Sequence, residues 1–268
     1  MSVITAMKLS AALRRGASVA DSDFDSVYPL AVQNVSGRYW SPISVARTGA
    51  AWFREAGCTA ALDVGSGAGK FCIVSNLAAS CAIQGVEQRG NLIEAAESAA
   101  RAYQATTKFV HTTIEHIDPQ VFDAFYFFNP FGENYYEGVE RFDEEVELSH
   151  IRCMEDVGLA EAWLDRARIG THVLTYHGFG GRVPDTYDLV KSIRRRGGAL
   201  RMWRKRSSVR ATGFRLEFDD LVLSSKQLER IWPRLTPLGQ QQLRELMDRP
   251  LGSEAPAALV ARERLTDD

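Results

Sequence analysis

The chain has little with which to bind a metal or build a disulfide scaffold. Its four cysteines, Cys58, Cys72, Cys81 and Cys153, include no C-x-x-C pair. Structural metal sites draw on such close spacing because a short loop fixes the ligand geometry. Disulfide frameworks belong to secreted chains too small for a core, and 268 residues are enough for a large one. The thiols are therefore expected reduced and the protein cytoplasmic. No apolar run reaches the length of a membrane-spanning helix. Ser18-Val19-Ala20 has the small residues of a signal-peptidase site, but Lys8, Arg14 and Arg15 interrupt the apolar stretch before it. Residues 1–20 are expected as a frayed or amphipathic helix. A net charge of -2 gives no general attraction to nucleic acid or membrane. Any partner chosen by charge must be chosen by a local patch.

What is present is an alternation of apolar strands and helices. Residues 60–64, 82–86, 108–111, 122–128 and 171–176 read as strands, with helices over 71–79 and 91–102 between the first three. Near-continuous apolar strands separated by helices point to a parallel sheet covered on both faces. Upstream, Ser41-Pro42 suits a helix start, the hydroxyl capping free N–H groups. Glu133 to Asp165 holds eleven acidic residues against Arg141 and Arg152, which predicts one or two helices with a solvated face. Ala199 to Lys205 and Phe214 to Phe218 alternate like the two strands of a terminal hairpin. Leu228, Ile231, Trp232 and Leu235 fit an amphipathic helix before a loose tail. The expected organisation is a helical cap over 1–58, an α/β core over 59–223 and a helical extension over 224–268.

The stretch Leu62-Asp63-Val64-Gly65-Ser66-Gly67-Ala68-Gly69-Lys70-Phe71 carries the most information. A strand ending in a glycine turn lets a ligand approach both backbone and helix N-terminus. Spacing separates the cofactors that use such turns. A phosphate-cradling loop needs glycine where Val64 stands and a hydroxyl where Phe71 stands. The nicotinamide fingerprint G-x-G-x-x-G needs glycine where Lys70 stands. What remains is G-x-G-x-G behind the acidic Asp63. The next strand ends Gly85-Val86-Glu87-Gln88, placing a carboxylate at the sheet edge where α/β folds bind ligands. Glu87 there suits ribose hydroxyls, or else backbone donors at a helix start.

Residues 60–130 resemble the class I S-adenosylmethionine-dependent methyltransferases. Asp63 to Gly69 match their glycine loop and Glu87 their ribose-binding acid. Thr113-Ile114 fall where that family flanks adenine, Thr113 replacing the acid often seen. The resemblance implies a Rossmann-like fold with a mainly parallel seven-stranded sheet, helices on both faces and a terminal antiparallel hairpin. It implies S-adenosylmethionine held by Asp63, Gly65, Ser66, Gly67, Gly69, Phe71, Glu87, Gln88, Thr113 and Ile114. Arg38-Tyr39-Trp40-Ser41-Pro42 looks like the aromatic-Thr-Pro segment of some adenine amino-methyltransferases, which adds Tyr39, Ser41 and Pro42.

The fourth strand ends Phe128-Asn129-Pro130-Phe131. This is similar to the Asn-Pro-Pro-Phe/Tyr motif of amino-methyltransferases, without its second proline, and to the Asn-Asn-Phe region of non-SET histone lysine methyltransferases. Methyl transfer is an in-line displacement, so the acceptor lone pair must be held opposite the S–CH3 bond. An amide oxygen and a proline carbonyl orient a substrate N–H, which makes Asn129, Pro130 and Phe131 the catalytic candidates, with Asn129 also near the cofactor. The same residues would also form a plain Asn-Pro turn. No base stands out among His111, His116, His150, His172 and His177, His177 being best placed, so a nitrogen acceptor is favoured. Tyr135 and Tyr136 either close the substrate pocket or pack beneath the acidic segment. Lys191 to Arg215 holds ten basic residues and Trp203 with no acid. It suits a polyanion, an acidic protein docked on a helix at 191–196, or a solvated face. A nicotinamide oxidoreductase and a non-catalytic binding module are the other classes open.

Overall fold

The computed structural model describes residues 3–79, 81–135, 142–195, 197–208, 214–218 and 221–224, with 227, 228, 230, 232–234, 240 and 244. Five helices precede the first strand: α1 (Val3–Arg14), α2 (Asp21–Asp25), α3 (Leu30–Asn34), α4 (Ser36–Tyr39) and α5 (Ile43–Glu55). Then come β1 (Ala61–Val64), α6 (Lys70–Ala79), β2 (Ile83–Glu87), α7 (Gly90–Tyr103), β3 (Lys108–His111), β4 (Ala124–Phe127), α8 (His150–Arg166) and β5 (His172–Tyr176). The described chain continues with β6 (Arg182–Pro184), β7 (Tyr187–Arg195), β8 (Gly198–Lys205), β9 (Phe214–Phe218) and β10 (Leu221–Ser224), and a 3-10 turn at Trp232–Arg234. No helix among the described residues is long and apolar enough to cross a membrane.

Seven strands form one sheet in the order β3-β2-β1-β4-β5-β8-β7, and β10-β9-β6 form a second. Strands β1 to β5 pair in parallel, and β8 runs antiparallel between β5 and β7. This is the Rossmann-like arrangement with a terminal hairpin. The period of two along each strand sends alternate residues to opposite faces. Ala61, Ile83, Ala124, Tyr126 and Leu174 pack in one cluster with α1, α5, α6 and α7. Leu62, Val64, Val86, Phe125, Phe127 and Val173 pack on the other face with α8. The chain leaves β1 toward one face and β4 toward the other, so a crevice opens between their C-terminal ends.

The N-terminal helices are bolted onto this core. Lys70, at the start of α6, is buried with its Nζ 2.7 Å from Asp21 Oδ1 and 3.0 Å from Asp25 Oδ2. The residue that breaks the nicotinamide fingerprint therefore ties α2 to the glycine loop. Asp21 also caps α5, its Oδ1 accepting from Ile43 N at 2.9 Å. Ser41 does not provide that cap; its hydroxyl meets Tyr126 OH at 2.7 Å.

Two sequence expectations are corrected. The hairpin pairs β8 with β7, not with residues 214–218, which join the second sheet as β9. The connection through Gly197, at φ +93°, lets neighbouring segments pair before distant ones. Residues 191–195 are consequently strand, and the docking helix expected there does not form. The acidic segment holds, as expected, a helix among its described residues, α8, after a 3-10 turn at Gly132–Tyr135. Much of the basic stretch is engaged within the protein. Lys191 pairs with Glu55, Arg206 with Asp188 and Arg215 with Asp185, and Lys205 Nζ donates to Leu164 O at the end of α8. Arg194 and Arg204 are exposed. Residue 196 and most of the expected C-terminal helical extension, Ile231 and Leu235 included, lie outside the described residues, as do Tyr136 and the side chain of Tyr135.

Candidate cofactor and acceptor site

Gly65, Gly67 and Gly69 all take left-handed backbone, at φ +68°, +53° and +76°. That conformation disfavours any residue with a Cβ. Ser66 N donates to Val86 O at 2.9 Å, so the loop is stitched to the end of β2. Glu87 then joins the two segments. Its Oε2 accepts from Gly67 N and its Oε1 from Arg89 N, each at 3.0 Å. The backbone-donor alternative for Glu87 is thus realised, because Arg89 precedes α7 and the carboxylate meets its backbone N–H, and the residue also lines the crevice. Each carboxylate oxygen keeps a second lone pair for a ligand hydroxyl. Burial raises the Glu87 pKa, and the Arg89, Gly67 and Gln88 amides and the Arg89 charge oppose it.

The glycines are required by the protein's own side chains. A Cβ at Gly65 would stand 2.7 Å from Pro130 Cβ, one at Gly67 would collide with the Trp40 ring, and one at Gly69 with the Phe109 ring. The crevice over the loop is roofed by Trp40, itself anchored by Nε1 to Val32 O at 3.0 Å.

Two cavities meet at Tyr39, Trp40, Gly65 and Phe128. The larger brings together Tyr39, Gly65, Gly67, Glu87, Gln88, Thr113, Ile114, Asn129, Pro130 and Phe131 from the sequence-derived set. The smaller adds Ser41, Asp63, Ser66 and Phe71. Two predicted residues line neither. Gly69 packs against Phe109 and Ala96, and Pro42 sits at the start of α5. Thr113 spends its hydroxyl locally, donating to Glu115 Oε1 at 2.8 Å.

The smaller cavity has an unusual polarity. Asp63 is buried, and among the described residues its Oδ2 accepts a thiol proton, from Cys72 Sγ at 3.3 Å. Burial, set against that thiol bond and reinforced by the charge of Glu87, pushes its pKa up to about 7. Among the described residues it forms no ion pair, since Lys70 is spent on Asp21 and Asp25. In the lining of the same cavity, the buried Ser66 Oγ has no hydrogen-bond partner among the described residues. Tyr126 stacks on Phe71 with centroids 3.6 Å apart and so holds the Ser41 hydroxyl at the same wall.

Asn129, two residues past β4, has φ +42° and its N–H bonded to Gly178 O at 2.9 Å. Asn is one of the few residues that tolerate this region, and such conformations gather at functional sites. Gly132 leaves room for its side-chain amide, which a Cβ there would strike. His177 ends β5 at φ +61° but lines neither cavity; its ring lies 5.6 Å from that of Phe128. His111 bonds Gln88 O and His172 meets the Cys58 thiol, both supporting strand ends rather than the cleft. Burial raises the Cys58 thiol to about 12, Cys81 to about 11, and Cys72 also upward, so none of the three is poised as a thiolate.

Sequence reasoning misses Arg89, Glu133, Phe142, Arg152 and Asp156, which complete the larger cavity. They come from segments with no motif, and only the position of Arg89 two residues past Glu87 is a usable signal.

No protein-family model and no curated protein matches the chain. Among solved structures, one similar to it is an RNA methyltransferase from Salinibacter ruber in complex with S-adenosyl-L-homocysteine, at 15% identity over 63% of this chain and 95% of that one, TM-score 0.44. A putative O-methyltransferase from Klebsiella pneumoniae is 11% identical over 75% and 97% of the two chains, TM-score 0.48. The plantazolicin methyltransferase BpumL in complex with SAH is 14% identical over 65% and 58%, TM-score 0.37.

Proposed function

We propose that the chain is an S-adenosylmethionine-dependent methyltransferase that acts on a nitrogen acceptor. The observation that carries this is the pairing of a buried, cation-free Asp63 and an unpartnered Ser66 hydroxyl beside the cleft of Glu87. An amino-acid end group answers both. An ammonium restores the charge of Asp63, and a carboxylate accepts from Ser66 or Ser41. The spare lone pairs of Glu87 take ribose hydroxyls, while Gln88, Leu92, Thr113 and Ile114 wall the adenine side. When bound, the cofactor supplies an electrophilic methyl group on sulfur.

The chain's own contribution is orientation. Asn129 Oδ1 and the Pro130 carbonyl accept from the acceptor's N–H groups and turn its lone pair toward the crevice. Phe128, Phe131 and Tyr39 exclude water around it. The cleft holds no histidine among its lining residues, which favours an acceptor nitrogen that needs no strong base.

Transfer of labelled methyl groups into fractionated cell extract, sorted into protein, nucleic acid and small molecules, tests this. One fraction is expected to take up label. Asn129→Ala should lower turnover roughly 100-fold or more, the cost of one oriented polar contact at a reacting centre, while leaving S-adenosylhomocysteine affinity within a few-fold. No labelled fraction with the wild-type protein, or full turnover in the variant, contradicts the assignment.

A further inference from the structure

Arg89 lines the cleft two residues beyond Glu87, yet the cofactor and acceptor contacts proposed above leave it without a task. Its side chain is only 6% exposed. Nη1 lies 2.9 Å from Glu133 Oε2 and Nε 2.8 Å from Asp143 Oδ1. Its guanidinium carbon stands 5.9 Å from the centre of the Phe142 ring. These partners come from different places: Glu133 from the turn after β4, Phe142 and Asp143 from the segment leading to α8.

That segment is organised around the same charges. Phe142 N donates to Glu133 Oε1 at 2.6 Å and Glu145 N to Asp143 Oδ1 at 3.0 Å. Asn91 Nδ2, on α7, donates to Asp143 Oδ2 at 2.8 Å. Burial works to raise the Asp143 carboxyl, but Asn91, Arg89 and the Glu145 amide outweigh it and hold it below the usual range. Phe142 in turn meets the Trp40 ring edge-on at 6.2 Å, and Trp40 covers Gly67.

We propose that Arg89 is a positioning residue that clasps residues 133 and 142–145 across the mouth of the cleft, so that Phe142 and Trp40 roof the cofactor during methyl transfer. The proposal rests on the methyltransferase assignment. A pair such as Arg101–Glu97, exposed on both sides, adds little to any closure because water competes for it. Arg89 makes its bonds largely out of water, where removing one partner leaves the others uncompensated and acts mainly on departure rates. Closure also keeps water from the reacting centre.

The test is stopped-flow dissociation of S-adenosylhomocysteine from the full chain, together with amide hydrogen exchange at Phe142 and Glu145. Arg89→Gln should raise the dissociation rate about 10- to 100-fold with a much smaller change in association, the pattern for truncating a buried charge pair. Asp143→Asn, which keeps Arg89 and Glu133 and so preserves the fold if Arg89→Gln does not, should raise it roughly 3- to 10-fold. Arg89→Lys should fall between. In both Asp143→Asn and Arg89→Gln the two amides should exchange faster without ligand, and ligand should slow them in the wild type. A merely structural Arg89 would lower stability without moving the dissociation rate. Rates within about twofold of wild type in Asp143→Asn and in any folded Arg89→Gln overturn the clasp alone. Failure of the wild-type chain to bind overturns the clasp and the methyltransferase assignment together.

Discussion

Asp63 has the most exposed chemistry of any single residue here, although its side chain is buried. An acid with a pKa of about 7 in the fold and about 4 in the unfolded chain favours its protonated form in the folded state. Its contribution to stability is full below about pH 4 and is lost as pH rises toward 7. Asp63→Asn should remove that part of the decline, so the stability difference between variant and wild type, followed by urea unfolding, should widen from about pH 4 to 7. If an ammonium group binds beside Asp63, ligand binding favours the ionised acid and releases a proton below about pH 7. Affinity for S-adenosylhomocysteine should then fall by about tenfold per unit as pH drops below 7, and less steeply in Asp63→Asn. Calorimetry in buffers of different ionisation enthalpy reads the proton directly; an affinity flat from about pH 5 to 7 contradicts the pairing. Glu87 shifts in the same direction, which is why the variant is the comparison.

Among elements, the N-terminal helices and the glycine loop depend on Lys70. Lys70→Met leaves the buried Asp25 without its cation, a change that costs about 3–5 kcal/mol when a buried pair is broken. Lys70→Met/Asp25→Asn should recover part of the loss. Urea midpoints measure both, and a single variant within about 0.5 kcal/mol of wild type would show that the helices are held by packing alone. The elements themselves are plain in the sequence. The largely apolar runs at 61–64, 83–87 and 124–127 are strands because both faces of the sheet are covered there, and no alternative period competes. That Lys70 is a bolt is not legible there, because its partners lie far off in the chain. The hairpin is misread for the related reason that 187–195 and 214–218 alternate equally well, and only the turn at Gly197 decides which one β8 meets.

At the scale of the whole molecule, the sheet order brings the ends of β1, β2 and β4 to one crevice, and with them most of the residues that a motif could reveal. Tyr39, the loop residues Asp63 and Gly67, Glu87 and Asn129 come from four separate segments but share that crevice and the cavity beside it. Glu133 and Phe142 are not legible, because side-chain pairing across loops has no period and no fixed spacing, and Arg89 is signalled only by its place two residues past Glu87. The basic stretch shows the converse. Its charge run stands out in the sequence, yet Lys191, Arg206 and Arg215 answer acids of the same molecule. The measurement that bears most directly on the central claim is calorimetric titration of the wild-type chain and Glu87→Ala with S-adenosylhomocysteine, beside NAD and NADP as controls. The account predicts one site per chain for S-adenosylhomocysteine, a loss of roughly 10-fold or more in the variant, as for deleting a charged hydrogen-bond partner, and no heat from the dinucleotides. A wild-type chain silent to S-adenosylhomocysteine, or one that binds a dinucleotide in its place, would contradict it.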